Sequence, residues 1–338
     1  MSDEIKKRKV VASDKSEIVA QLPRACSDET AAVEFIEARR GWDKLPACPR
    51  CGDTAVYQMR DRETGERNRR FLWLCKGCKR QYTARTETVF EDSRIPLKHW
   101  CYAFWRCATS KKGASALEVK RHTGLSYKSA LFLLHRVRWA MQEEGHEDGS
   151  PLNGTVEADE TYVGGRPRHR SRANIKGRGT DKPCVLALVE RGGRVKTKII
   201  PTVNAANVQS FIRENVARDS RIMTDEYAAY MGIGRHFEGG HETVNHSHRE
   251  YARGDAYTNT VEGFFSLLKR GLMGTYHSVS RKHLHRYLAE FRFRYNLRHV
   301  EDGERTAAAI KASEGKRLFY REPVAQPKTP PGTQPRLF

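Results

Sequence analysis

The chain has 338 residues, 38% hydrophobic and 30% charged, and a formal net charge of +20. That length allows two or three domains, and the positive surplus favours a polyanionic partner such as nucleic acid. No apolar run approaches the length of a bilayer span, and the charged stretch MSDEIKKRKVVASDKSE lacks the apolar core of a secretory signal, so a cytoplasmic location is expected.

Residues 1–27 read as a loose polar arm. SDETAAVEFIEARRGW reads as a short helix, capped by Ser27 or Asp28 and ended at Gly41, which completes an N-terminal unit over 1–45. Residues 46–90 carry two C-x-x-C pairs, with two strands between them joined by a charged loop at Gly65. Residues 91–145 read as three helices. Pro96 suits a first helical position, and Leu97, Trp100, Cys101, Phe104, Trp105 and Ala108 form one apolar stripe. ASALEVKRH is the second helix, TGLS a tight turn, and Ser126 caps a third helix from Tyr127 to about Met141. EEGHEDGSPLNG is a linker.

From 150 to 300 the pattern changes. TVEADETYV is a strand, CVLALVERGGRVKTKIIPTV a hairpin around Gly192-Gly193, NAANVQSFIRENV a helix and RIMTDEY a strand. A further strand is expected within HETVNHSHREY, followed by helices in NTVEGFFSLLKRG and SRKHLHRYLAEFRFRYNLRH. This order implies a mixed α/β sheet with covering helices. Residues 301–338 read as a C-terminal helix and a disordered Pro-rich tail.

Among eight cysteines, Cys48, Cys51, Cys75 and Cys78 form the two C-x-x-C pairs. Two such knuckles supply four thiolates, the donor set of a closed tetrahedral Zn²⁺ site with bonds of about 2.3 Å. Two disulfides or four free thiols are the alternatives; a reducing compartment disfavours the first, and the paired spacing disfavours chance. Arg67, Arg69, Arg70, Lys76, Lys79 and Arg80 around the pairs suggest a DNA-facing module.

SALEVKRHTGLSYKSALFLLHRVRWAM fits a helix-turn-helix. Its second helix would bury Leu131, Leu134, Val137 and Met141. It would present Tyr127, Lys128 and Ser129 at its start, with Arg136 and Arg138 farther on. Residues at the start of such a helix reach base edges. An ordinary three-helix bundle with a basic face is the alternative.

Asp159, Asp225 and Glu262 stand out next. Carboxylates from two strand ends and a helix can hold two divalent cations about 3.5–4 Å apart, the arrangement that activates a nucleophile and stabilises a leaving oxygen. Mg²⁺ suits such a site because it keeps open positions for phosphate oxygens. Each residue has a plainer role: Glu157 and Glu160 rival Asp159, Asp225 could serve a turn, and Asn259-x-x-Glu262 resembles a capping box. Lys269 lies almost two turns beyond Glu262 and shares its helix face, although Lys269-Arg270 could equally complement the helix dipole.

VEADETYVGG, TDEYAAY and VNHSHREYARGDAYTNTVEGFFSLLKRGLMGTYHSVSRKHLHRYLAEFRFRYNLR together resemble the DDE transposases of bacterial insertion sequences that carry an N-terminal zinc ribbon. This is the ISXO2-like group, with relatives among eukaryotic Merlin transposons. The resemblance implies a multidomain chain: zinc ribbon, helix-turn-helix, and a ribonuclease-H-like catalytic domain. It implies phosphoryl transfer with Mg²⁺ or Mn²⁺ held by Asp159, Asp225 and Glu262, with Lys269 as basic companion. The implied partner is double-stranded DNA, both the terminal inverted repeats of the element and a target, and the implied setting is the bacterial cytosol and its nucleoid. Because two ends must be joined, a homodimer or larger assembly on DNA is expected.

A basic run (Arg166, Arg168, Arg170, Arg172, Lys176, Arg178 and Lys182) follows Gly164-Gly165 and, with Arg270, is the expected DNA track. His246 is a further candidate to approach a phosphate or the metal site, with a plain surface histidine as the alternative, and Tyr276 and His277 are candidates to touch DNA, with packing as the alternative. Two other functions fit the same residues. One is a ribonuclease-H-like nuclease without strand transfer. The other is a zinc-ribbon DNA-binding regulator whose acidic cluster is inert.

Overall fold

The computed structural model describes residues 17–42, 46–142, 149–164, 182–244 and 252–319. Two helices stand at the N-terminus where one was expected. α1 (Glu17–Ser27) lies in the segment read as a loose arm. Ile18, Leu22 and Ala25 recur at helical spacing and are all buried, a stripe masked in the sequence by neighbouring charge and by Pro23. Asp28 then accepts a 2.7 Å hydrogen bond from the Ala31 amide and starts α2 (Glu29–Arg39).

β1 (Val56–Gln58), β2 (Trp73–Cys75) and β3 (Gln81–Tyr82) form a small antiparallel sheet. The sequence reading anticipated only its first two strands; β3 lies beyond the second cysteine pair. Next come α3 (Leu97–Thr109), α4 (Ala116–Thr123) and α5 (Tyr127–Ala140). Ser115 and Ser126 cap α4 and α5 by accepting 3.1 Å bonds from the Glu118 and Ser129 amides.

The larger sheet is built from β4 (Thr155–Tyr162), β5 (Cys184–Glu190) and β6 (Val195–Ile200), then, after α6 (Ala205–Asn215), from β7 (Arg221–Asp225) and β8 (His241–Val244). The spatial order is β6-β5-β4-β7-β8. β4–β5 and β5–β6 are antiparallel, whereas β4–β7 and β7–β8 are parallel. A short hairpin of β9 (Ala252–Arg253) and β10 (Ala256–Tyr257) leads into α7 (Asn259–Gly271). A π-helical turn (Leu272–Tyr276), α8 (Leu284–Asn296) and α9 (Asp302–Lys311) follow. This is the mixed, ribonuclease-H-like sheet with covering helices.

One sheet face packs Val156, Ala158, Leu186 and Leu188 against Val208 and Ile212 of α6. The other packs Val185, Ala187 and Val189 against Val261, Phe264 and Leu268 of α7 and Leu288 of α8. A separate core joins α1–α5 to the small sheet, and α9 returns to it with Ala309 and Ile310.

An ion network ties the two bodies together. Glu290 on α8 is wholly buried and accepts from Arg138 Nε on α5 at 2.6 Å. Arg294 pairs with the same carboxylate and donates to the Cys107 carbonyl on α3 at 3.0 Å. Arg138, expected on an exposed basic face, is therefore 1% exposed and belongs to the joint. Removing one partner would strand a buried charge, at a cost of about 3–5 kcal/mol.

Candidate active site and cysteine cluster

Side chains on β4 alternate across the sheet. Val156 and Ala158 face α6, so Glu157 and Asp159 face α7. Glu160 lies on the α6 side, where it accepts a 2.8 Å bond from the Tyr230 hydroxyl. Glu157 is 0% exposed and has a structural task. It accepts from the Thr260 and Val261 amides at 2.8 and 3.0 Å, from the Thr260 hydroxyl at 2.8 Å, and from Arg191 Nε at 2.7 Å. A carboxylate on unsatisfied amides at a helix N-terminus is favourable, and here it pins the start of α7 to β4. Arg191 also donates to the Asp255 and Tyr257 carbonyls at 2.7 and 2.8 Å, so the hairpin before α7 is fixed too.

β4 and β7 run parallel with Thr155 opposite Arg221 and Glu157 opposite Met223. Carried two residues further, that register sets Asp159 level with Asp225 at the carboxyl end of β7. Such ends are where open α/β sheets bind ligands. The Glu160 amide donates to Asp159 Oδ1 at 2.7 Å and the Tyr227 amide to Asp225 Oδ1 at 3.1 Å. Glu262 sits in the first turn of α7 beside the pinned N-terminus, accepting from the Thr258 hydroxyl at 3.3 Å.

All three carboxylates line one open cavity of about 810 Å³, whose rim carries Lys112, Lys269 and Arg270. Lys112 comes from the turn between α3 and α4, and no sequence signal pointed to it. It arrives because two glycines permit close approach. A Cβ on Gly271 would lie 2.9 Å from the Lys112 carbonyl, and one on Gly113 would overlap the Tyr276 hydroxyl.

Burial pushes the Asp159 carboxyl up to about 7, helped by the negative charges of Glu160, Asp225 and Glu262; the hydrogen bond from the Glu160 amide opposes this. A divalent cation would relieve that repulsion, and the all-oxygen donor set suits a hard ion such as Mg²⁺ or Mn²⁺. Among the described residues, only Cys48, Cys51, Cys75 and Cys78 bring three or more potential metal-ligand atoms within 4.8 Å of one another. The three carboxylates line the cavity without closing on one point.

The cysteine cluster is the closed one. The Sγ atoms of Cys48 and Cys78 are 3.8 Å apart, and those of Cys51 and Cys75 are 3.6 Å apart. A tetrahedron with bonds of about 2.3 Å has edges of roughly 3.8 Å, so the four thiols fit Zn²⁺ and are too far apart to be disulfides. β1 and β2 present the two knuckles, and Trp42, Val56, Trp73 and Tyr82 back them in the core.

Residues 151–296 match the ISXO2-like transposase domain, and residues 27–81 match the transposase zinc-ribbon domain. A protein of transposable element ISH50 from Halobacterium salinarum is 30% identical over 284 residues, covering 79% of this chain and 90% of that one. The chain belongs to the ISXO2-like transposase family. A transposase-like protein of Haemophilus influenzae is 31% identical over 103 residues, 30% of this chain and 81% of its own length. The Mos1 transposase paired-end complex overlaps 59% of this chain and 70% of that one, with a TM-score of 0.26 and 12% identity. The Mos1 strand transfer complex overlaps 61% and 75%, with a TM-score of 0.26 and 13% identity. Among the described residues no helix is long and apolar enough to cross a membrane.

The DNA-facing candidates of this ISXO2-like transposase divide. Tyr127 and Lys128 are exposed at the start of α5, and Ser129 is half-buried with its hydroxyl 3.0 Å from that of Ser126. Arg136 is a correction: it is buried and donates to the Val89 and Glu91 carbonyls at 2.9 Å, so it clamps the segment before α3 and faces no DNA. Tyr276 takes the packing alternative: its hydroxyl donates to Glu290 at 2.7 Å inside the joint. His277 is exposed with φ 58°. Arg166, Arg168, Arg170, Arg172, Lys176, Arg178 and His246 lie outside the described residues.

Proposed function

We propose that this transposase cleaves the terminal inverted repeats of its own element and transfers the resulting 3′ ends to target DNA. The observation that carries the reading is the single cavity lined by Asp159, Asp225 and Glu262 with Lys112, Lys269 and Arg270 on its rim. Mg²⁺ or Mn²⁺ held by the three carboxylates would supply activation of the attacking oxygen and stabilisation of the leaving one. Lys269 and Arg270 grip the phosphates beside the scissile bond. Glu157 holds no metal; it keeps α7, and with it Glu262 and Lys269, in place over the strand ends. The cysteine cluster takes one structural Zn²⁺, and the exposed start of α5 reads the repeat in the manner of a helix-turn-helix. By its placement in sequence, the basic run 166–182 tracks along the duplex. A dimer or larger assembly holds both ends.

The test is incubation of purified protein with labelled element ends, a supercoiled target plasmid and Mg²⁺. Joined products carrying the labelled 3′ end are the expected result. Hydrolysis without joining would replace the reading with a nuclease. End binding that survives chelation, with no strand breakage in any metal, would leave a zinc-ribbon regulator.

A further inference from the structure

A second cavity, of about 780 Å³, lies between α4–α5 and the segment 274–287. It runs from Tyr127, at the start of α5, to Gly274, which also lines the carboxylate cavity. The two cavities therefore share a wall. Three buried nitrogen atoms of residues lining the second cavity have no hydrogen-bond partner among the described residues: His135 Nδ1, His283 Nδ1 and Arg138 Nη1. Buried polar atoms are rarely left so. The two imidazoles lie 4.8 Å apart with their planes tilted by 50°, and Tyr287 meets His135 edge-on at 6.0 Å. The residues lining the cavity thus include three aromatic rings, and an unstacked nucleobase is held by stacking on rings and by hydrogen bonds.

Beside the shared wall stands Met273. It is 76% exposed, the most exposed of the large apolar side chains among the described residues, and it lines the carboxylate cavity. It sits on the π-helical turn that follows α7, a local irregularity that is often functional. Leu272 beside it is buried, and Tyr276 is tied to Glu290, so the turn is anchored while Met273 projects. An apolar side chain among phosphate-binding cations has no solvent role, but apolar wedges of this kind part base steps.

We infer that Met273 is a wedge that unstacks a nucleotide at the transposon end, and that the cavity lined by His135, His283 and Arg138 receives it. The inference rests on the end-cleaving reading given above. It adds a strand-separating step that makes the scissile phosphate of a paired end reachable by the carboxylates.

The test compares two duplexes bearing the terminal repeat, one fully paired and one with mismatches at the nucleotides next to the cleavage position. Met273→Ala is expected to slow cleavage of the paired end by about 30-fold or more, to bind it as wild type does, and to recover near wild-type rates on the mismatched end. Met273→Leu, which keeps the wedge, is expected to behave as wild type. His135→Phe keeps an aromatic ring at that position and removes the unpartnered Nδ1. It is expected to slow cleavage of the paired end while the unfolding midpoint stays level or rises. Equal rates for wild type and Met273→Ala on the paired end overturn the inference, as does a Met273→Ala defect of the same size on both duplexes. Failure of the wild type to cleave either duplex overturns the end-cleaving reading itself and the wedge with it.

Discussion

The two clusters of candidate metal ligands in this transposase are built in opposite ways. The four cysteines close on one point, with opposing sulfurs 3.6 and 3.8 Å apart and four aromatic or apolar side chains behind them. The three carboxylates line an open cavity of about 810 Å³, where burial, helped by the neighbouring negative charges of Glu160, Asp225 and Glu262, pushes Asp159 up to about 7. A closed set of four soft donors stabilises a fold and leaves no position for substrate. An open set of hard donors leaves positions for water and phosphate at a cost in stability. The difference teaches how, under the proposed function, stability and chemistry would fall to separate ions in separate bodies, joined through the Glu290 network.

The comparison can be broken most severely at the cysteines. Cys75→Ser is expected to lower zinc from about one per chain to near zero and to unfold the small sheet, because a structural site contributes folding free energy on the order of 10 kcal/mol. Metal analysis with circular dichroism checks this; a folded, zinc-free variant would contradict it.

Glu157→Gln comes next. It leaves Arg191 without its charge partner and weakens the cap on α7, so unfolding by urea should show a loss of about 3 kcal/mol. An unchanged midpoint would mean that α7 is positioned by packing alone.

The carboxylate cavity should respond in the other direction. An acid whose folded pKa is raised binds its proton more tightly when folded. The protein is therefore favoured at low pH, and stability is lost as pH rises from about 4 through about 7. In Mg²⁺-free buffer at pH 8, Asp159→Asn removes that cost and should raise the unfolding midpoint by a few degrees. Added Mn²⁺ should then stabilise the wild type and leave the variant unmoved. A lower midpoint for the variant would contradict the account. The smallest effect is expected from Lys269→Ala, which should weaken end binding a few-fold and reduce the slope of log K against log salt by about 1.

Much of this was readable from the sequence because its signals are local. C-x-x-C spacing, the Gly192-Gly193 turn and the capping residues Ser126 and Asp28 each act over a few positions. The family resemblance nominated Asp159, Asp225 and Glu262, but alternation on β4 could not separate Asp159 from Glu157. That choice depends on Thr260 and Val261, about 100 residues away, whose amides occupy Glu157. Arg136 and Arg138 misled for a similar reason. Charge on a helix reads as solvent-facing, yet their partners, the Val89 and Glu91 carbonyls and Glu290, come from distant segments. Lys112 and Met273 reach the cavity only through tertiary packing, and α1 was hidden because its stripe is short and flanked by charge.

The most direct measurement is single-turnover cleavage of a labelled element end in Mg²⁺ by zinc-replete wild type and Asp159→Asn. The expected result is cleavage by the wild type and a rate at least about 1,000-fold lower for the variant, equivalent to roughly 4 kcal/mol of lost transition-state stabilisation, with end affinity and zinc content unchanged. Equal rates from the two proteins would contradict the central claim that the open carboxylate cavity, and not the cysteine-bearing body, performs the chemistry.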